Sequence, residues 1–80
     1  MAVDPKAVFA MRQELDDLLV ALARKRSEVS NLTVGYRRAA GGVSPLPAEP
    51  LKRKLIAARA ELTELEERIA ALQAQLPAEN

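Results

Sequence analysis

The sequence predicts an all-α fold, a two-helix antiparallel coiled-coil hairpin. Two segments carry apolar residues at alternating spacings of three and four, the heptad pattern of helices that pack side by side. A segment rich in Gly and Pro separates them and interrupts any continuing helix. Because this connection is short, we expect the helices to pack antiparallel as a single domain of 80 residues.

The first helix is predicted over residues 5–39, where Asp4 can cap the free N–H groups and Pro5 suits the first helical position. Its heptad seam contains nine apolar residues: Val8, Met11, Leu15, Leu18, Leu22, Val29, Leu32, Tyr36 and Ala39. Lys25 occupies the one remaining seam position. A polar seam residue often fixes the register of a coiled coil, and a lysine stem can stay buried while its amine reaches water. We therefore interpret Lys25 as a register-setting residue rather than a ligand contact.

Residues 40–49 form the predicted loop, in which Gly41 and Gly42 end the first helix. The second helix is predicted over residues 50–76, and residues 77–80 form a tail. Its seam consists of Leu51, Leu55, Ala58, Leu62, Leu65, Ile69, Leu72 and Leu76. Its spacings are again strictly four and three, which supports a second heptad helix.

The register follows from pairing the a positions of one helix with the d positions of the other. The pairing that fits the loop centres the turn on residues 43–44 and places Lys25 opposite Leu62. A slip of one heptad would start the turn inside the first helix, so we exclude it. The predicted object is a rod about 50 Å long, from a rise of ~1.5 Å per residue over about 35 residues.

Composition excludes several classes of function. Cys and His are absent, which removes disulfides, thiolate chemistry and the usual zinc and iron sites. No apolar run approaches the ~20 residues that span a bilayer, and the N-terminus lacks the pattern of a secretory signal. A two-helix rod also has no cleft in which acid and base groups could be tuned for catalysis. We therefore expect a cytoplasmic, non-enzymatic protein with no cofactor, no metal, no membrane association and no small-molecule substrate.

The net charge of +1 conceals a strong segregation of charge along the chain. Residues 24–59 carry nine Lys and Arg against two Glu, a net charge of +7, whereas residues 1–23 and 60–80 carry −2 and −4. In a hairpin the middle segment becomes the tip. Helix dipoles explain only part of this, because the Lys-Arg-Lys run at 52–54 opens the second helix, where each cation costs roughly 0.3–1 kcal/mol. The pattern favours a polyanionic partner, with a merely solvated charged surface as the alternative.

The first helix contains Arg26-x-x-Val29-Ser30, followed by Gly35, a basic pair and the Gly-rich loop. This order, together with a Leu/Glu-rich return helix, resembles the N-terminal tRNA-binding arm of seryl-tRNA synthetases over roughly residues 10–80. Gly35 comes about one residue later than in that family, and the position after Arg26 is Ser where the family usually has Asn. The family's catalytic domain could not fit in this length, so the resemblance implies RNA contact and excludes aminoacylation.

The resemblance implies that cations around the tip contact the backbone of a tRNA-like RNA through shape and charge. These cations are Arg24, Arg26, Arg37, Arg38, Lys52, Arg53 and Lys54. Because Tyr36 is the only aromatic residue near the tip, stacking on single-stranded bases is disfavoured. A double-helical backbone is the better fit.

The alternative function is a protein-interaction module, such as an adaptor, a secretion chaperone or a self-associating hairpin. Four apolar residues off the seam form the candidate partner surface: Phe9, Leu19, Val20 and Ile56. A lone two-helix hairpin buries little apolar area, so a second copy could cover these residues and complete a four-helix bundle. The sequence leaves RNA and protein partners open.

Overall fold

The structure, a computed structural model, describes residues 4–43 and 45–76, which form two α-helices joined by a short loop. Helix α1 spans Pro5–Ala40 and helix α2 spans Ala48–Gln75. They pack against each other as a rod with extents of 60 × 18 × 14 Å. The predicted all-α helical hairpin is confirmed. The predicted tail, residues 77–80, lies outside the described residues, as does Ser44 at the predicted turn centre.

The predicted start of α1 is confirmed by its capping interaction. The Asp4 carboxylate accepts a hydrogen bond from the Lys6 N–H at 3.0 Å, which satisfies one of the free donors of the first turn. Pro5 occupies the first helical position, where its missing N–H has no consequence.

The C-terminal end of α1 is closed by its glycine pair. Gly42 adopts φ +76°, the left-handed conformation that glycine tolerates best. Its N–H donates to the Ala39 carbonyl, and the Val43 N–H donates to the Arg38 carbonyl, which together form a Schellman motif. The chain reverses only at Gly42, so α1 continues to Ala40, one residue beyond its predicted end.

Helix α2 begins at Ala48, two residues before its predicted start. Pro50 fits anywhere in the first helical turn, where N–H groups lack helical partners, so it does not mark the boundary. Pro47 holds the extended N-cap position, with φ −68° and ψ 140°. The helix ends at Gln75, one residue early, because Leu76 is extended (ψ 139°). Extended backbone is expected of a residue that precedes proline.

Every predicted seam position of the two helices is buried or half-buried. The core consists of Leu22, Leu55, Ala58, Ile69 and Leu72, which are between 3 and 8 % exposed. None of the described side chains is fully enclosed. The core is therefore one residue layer thick, and each of its members carries a large share of the apolar burial that holds the hairpin together.

The register of the two helices is marked by a contact between Lys25 and Glu61. The Lys25 amine donates to the Glu61 carboxylate, and Glu61 is the residue next to Leu62, the predicted partner of Lys25. This contact agrees with the predicted register at the middle of the rod.

Candidate nucleic-acid interface

The seven cations predicted to contact RNA all have exposed side chains. The arginines at 37–38 lie in the last turn of α1 and the cations at 52–54 lie in the second turn of α2, so these five are grouped beside the loop. Arg24 and Arg26 lie further back in α1, about 17–20 Å from Arg37 along the helix axis. The basic region therefore covers the distal half of the rod, defined here as residues 24–59, and is not confined to its tip.

The earlier start of α2 changes the electrostatic setting of the cations at 52–54. Glu49 lies in the first turn of α2, where the helix dipole favours an acid. Because the influence of the dipole fades beyond that turn, the unfavourable interaction expected for these cations is weaker than the sequence suggested. In α1, the arginines at 37–38 lie in the last turn, where the dipole favours cations.

Few of these cations are paired with an acid. Arg53 Nε lies 4.0 Å from Glu49 Oε1, and with side chains 80 % and 70 % exposed this pair contributes little. No carboxylate of residues 4–43 and 45–76 lies within 4.0 Å of the other six: Arg24, Arg26, Arg37, Arg38, Lys52 and Lys54. These six cations are therefore exposed and form no ion pair at that distance.

Lys25 differs from its basic neighbours because two carboxylates bind it. Its amine donates to Glu28 Oε2 at 2.7 Å and to Glu61 Oε2 at 2.5 Å. The hydrogen bond to Glu28, followed by the one to Glu61, raises the pKa of Lys25 above its ordinary value. The side chain is only 20 % exposed. This environment agrees with the register-setting interpretation and leaves the amine engaged within the hairpin.

The heptad pattern divides the distal half and the adjoining turn of α2 into two flanks, one on each side of the helix interface. When Leu22 of α1 and Leu55 of α2 are taken as a positions, residues at positions g and c lie on one flank, and residues at positions e and b lie on the other. The Glu28 flank consists of Arg24, Glu28, Asn31, Gly35 and Arg38 of α1 and Lys54, Ala57, Glu61 and Glu64 of α2. The Arg26 flank consists of Arg26, Ser30, Thr33 and Arg37 of α1 and Glu49, Lys52, Ile56, Arg59 and Thr63 of α2.

Arg59 is a basic residue of the Arg26 flank that the sequence prediction did not include. Its side chain is exposed, and no carboxylate of the described ranges lies within 4.0 Å of it. The signal that could have identified it is its heptad e position, which is shared by Arg26 and Lys52. Grouping cations by heptad position rather than by proximity to the loop brings these three residues onto one surface.

No protein-family model, curated protein or solved structure matches this chain. The resemblance to the seryl-tRNA synthetase arm therefore rests on the motif around Arg26 and on the return helix alone.

The candidate partner surface is exposed but discontinuous. The exposed fractions are 64 % for Phe9, 43 % for Leu19, 50 % for Val20 and 59 % for Ile56. The antiparallel register places Ile56 about 18 Å along the rod from Leu19, so the four residues do not form one patch. Three further apolar residues are also exposed, two of them in the loop: Val34, Val43 and Leu46.

Other kinds of site have little support in the described part of the chain. A shallow concavity on the outside of α2 is lined by Glu64, Glu67, Arg68 and Ala71, which are neighbours on a single helix face. Within residues 4–43 and 45–76, no group of three acidic side chains is arranged to hold a metal ion. Neither helix is long and apolar enough to cross a membrane.

Proposed function

We propose that this hairpin is a non-catalytic RNA-binding module whose distal half contacts the phosphate backbone of a tRNA-like RNA. The observation that carries the proposal is the set of exposed cations in residues 24–59 that have no carboxylate within 4.0 Å. This segment has a net charge of +7, whereas the chain as a whole has +1. Such a module would act in the cytoplasm, where tRNA is abundant.

Binding of this kind is driven by the release of counterions from the phosphates. Each Lys or Arg that neutralises a phosphate adds to the affinity and to its dependence on salt, and carries little base specificity. The proximal half carries a net charge of −6 over residues 1–23 and 60–80, so it should repel RNA. The segregation of charge would therefore orient the rod, with its distal half on the RNA.

The resemblance to the seryl-tRNA synthetase arm supports this proposal and indicates a probe. In that family the arm reaches the long variable arm of the tRNA, mostly through backbone shape and charge. The rod of 60 Å is long enough to contact a helical RNA arm over several turns of α1. A tRNA with a long variable arm is therefore the RNA to test first.

The test is the fluorescence anisotropy of labelled tRNA titrated with the hairpin, between about 50 and 200 mM salt. We expect tighter binding to a tRNA with a long variable arm than to one with a short arm, and a steep loss of affinity as salt rises. The absence of binding at the lowest salt, or an affinity that does not change with salt, would refute the proposal.

A matched pair of variants separates the distal half from general charge. Arg37→Gln with Lys52→Gln removes two distal cations, and Lys6→Gln with Arg68→Gln removes one Arg and one Lys from the proximal half. We expect the distal variant to bind RNA more weakly and the proximal variant to bind as well as the unmodified protein. Equal losses would show that only the total charge matters.

A second candidate function, self-association, is favoured by the exposure of apolar residues on α1. Phe9 is 64 % exposed and Val20 is 50 % exposed, although the hairpin has only a thin core. A second copy that covered this side of α1 would complete a four-helix bundle. Sedimentation equilibrium at micromolar concentration tests this idea. A helical monomer across that concentration range would argue against it.

A further inference from the structure

Like charges face each other on both flanks at the middle of the rod. On the Glu28 flank, Glu28 of α1 and Glu61 of α2 both bind the Lys25 amine, which neutralises the repulsion between them. On the opposite flank, Arg26 and Arg59 occupy equivalent e positions. The acidic pair, Glu28 and Glu61, has the Lys25 amine as its counter-charge. The basic pair, Arg26 and Arg59, has no ion-pair partner among the described residues.

The Lys25–Glu61 contact fixes the axial level of the two arginines. Arg26 follows Lys25 by one residue, and Arg59 precedes Glu61 by two. Because the helices run antiparallel with Lys25 opposite Leu62, Arg26 lies opposite residue 61, so the two arginines lie within about 3 Å of the same level along the rod. Their e positions put both of them on the flank opposite Glu28. Two guanidinium groups, one from each helix, therefore flank the same stretch of the interface.

No acid of the described residues forms an ion pair with either arginine. Neither arginine has a carboxylate within 4.0 Å, and the Arg26 flank carries one acid, Glu49, against four cations. Glu49 lies about 15 Å from Arg59 along α2, beside Arg53, and Glu66, the next e position of α2, lies about 10 Å from Arg59 in the other direction. Two uncompensated cations at one level repel each other, and an anion bound between them would remove that repulsion.

The same flank continues towards the loop with a second basic pair. Arg37 and Lys52 lie about 13 Å further along the rod than Arg26 and Arg59. Between the two pairs lies Ser30, whose exposed hydroxyl can donate to a phosphate oxygen. The flank thus carries four cations in two groups, spaced to contact phosphates several nucleotides apart.

We propose that Arg26 and Arg59 form a two-arginine clamp for one backbone phosphate of an RNA duplex, and that Arg37 and Lys52 bind further phosphates on the same flank. The planar guanidinium suits this role because it can donate two parallel hydrogen bonds to one phosphate. The Glu28 flank faces away from the RNA, since it carries three carboxylates against three cations, whereas the Arg26 flank carries one carboxylate against four cations. This inference rests on the proposed RNA-binding function and adds to it the face of the rod that is used.

Two matched triple variants test the choice of flank. The first removes cations from the Arg26 flank: Arg26→Gln, Lys52→Gln and Arg59→Gln. The second removes cations from the Glu28 flank: Arg24→Gln, Arg38→Gln and Lys54→Gln. Each triple removes two Arg and one Lys, so both change the net charge equally. Circular dichroism confirms that each variant is folded before binding is measured with a labelled RNA hairpin duplex.

The inference predicts unequal effects. The Arg26-flank triple should lower the slope of log K against log salt by about three and weaken binding by about 10²–10³-fold near 0.1 M salt. The Glu28-flank triple should retain nearly the full slope. A further variant, Arg26→Lys with Arg59→Lys, keeps the charge but removes the paired donors, so it should lose affinity while the slope stays unchanged.

Each other outcome overturns the inference in a way that can be recognised. Equal losses in the two triples, or a larger loss in the Glu28-flank triple, would reject the flank while leaving RNA binding in place. Full affinity in the double lysine variant would reject the guanidinium clamp. If the unmodified hairpin binds no RNA duplex at low salt, the proposed function and the inference fail together.

Discussion

The Lys25 amine and the Glu61 carboxylate join the two helices across their interface, with 2.5 Å between Nζ and Oε2. Glu28 accepts a second hydrogen bond from the same amine at 2.7 Å. The single charged residue of the α1 seam is thus bound by one carboxylate from each helix. A one-heptad slip of α2 would carry Glu61 about 10 Å along the rod and break the contact, so the contact favours one register.

The first prediction is a charge swap across this contact. Lys25→Glu places a third carboxylate beside Glu28 and Glu61, so we expect the thermal midpoint of unfolding to fall. Adding Glu61→Lys supplies a cation on α2 that can bond to both carboxylates of α1, so the double variant should be more stable than Lys25→Glu alone. Thermal unfolding followed by circular dichroism measures the coupling. Strictly additive effects would show that the two side chains do not interact.

The second prediction concerns alkaline pH. Its hydrogen bonds to the two carboxylates raise the pKa of Lys25 above the ordinary 10.5, so the folded protein holds this proton more tightly than the unfolded chain does. The resulting stabilisation is complete below about pH 10.5 and is lost as pH rises through the higher folded-state pKa. A Glu28→Gln and Glu61→Gln double variant lacks the carboxylates that cause the shift.

Thermal midpoints of the two proteins from about pH 8 to about pH 12 provide the measurement. We expect the unmodified protein to be the more stable at pH 8 and its advantage to shrink above pH 10.5. All other ionisable side chains are the same in both proteins, so their effect cancels in the difference. A difference that stays constant over this range would contradict the role assigned to Lys25.

Heptad periodicity was sufficient to predict the helices and their buried face. Leu22, Leu55 and Ile69 were seam positions in the sequence and are core residues in the structure, because burial in a coiled coil depends mainly on the three-and-four spacing. The start of α2 was less accurate. Proline is compatible with several positions of a first turn, so Pro50 alone could not distinguish a start at residue 50 from one at Ala48.

The candidate interface was only partly accessible from sequence. Proximity to the loop identified Arg37 and Lys52, but it also grouped Arg24 with Arg26, which face opposite flanks. Arg59 was passed over although it lies closer to the loop along the chain than Arg24 and Arg26 do, because only its heptad position shows that it shares a flank with Arg26. The carboxylate partners of Lys25 were not predicted either, because long flexible side chains reach different neighbours on a helix surface, and only coordinates show which contact forms.

The third prediction compares two leucines of the same helix. Leu22 is 8 % exposed in the core and Leu19 is 43 % exposed beside it. Leu22→Ala should lower the free energy of unfolding by about 2 kcal/mol or more, because the cavity it leaves lies in a thin core. Leu19→Ala should change it by about 0.5 kcal/mol or less. Urea unfolding at low protein concentration measures both.

Equal losses for the two leucine variants would mean that the seam is wrongly assigned. If Leu19→Ala lowers the free energy of unfolding only at high protein concentration, a second copy binds that side of α1. At low concentration the second copy dissociates, so Leu19 is exposed to solvent and its truncation has little effect. The concentration series therefore separates the core from a partner surface.

The last prediction concerns two glycines with opposite roles. Gly42 has φ +76°, where a Cβ is strained, so Gly42→Ala should lower the free energy of unfolding by about 1–2 kcal/mol. Gly35 lies inside α1, and a Cβ built on it meets no atom within 4 Å, so Gly35→Ala should raise the free energy of unfolding by about 0.5–1 kcal/mol. The two substitutions add the same methyl group, so urea unfolding of both isolates the effect of backbone conformation. A stabilising change at Gly42 would show that the chain does not reverse there as described.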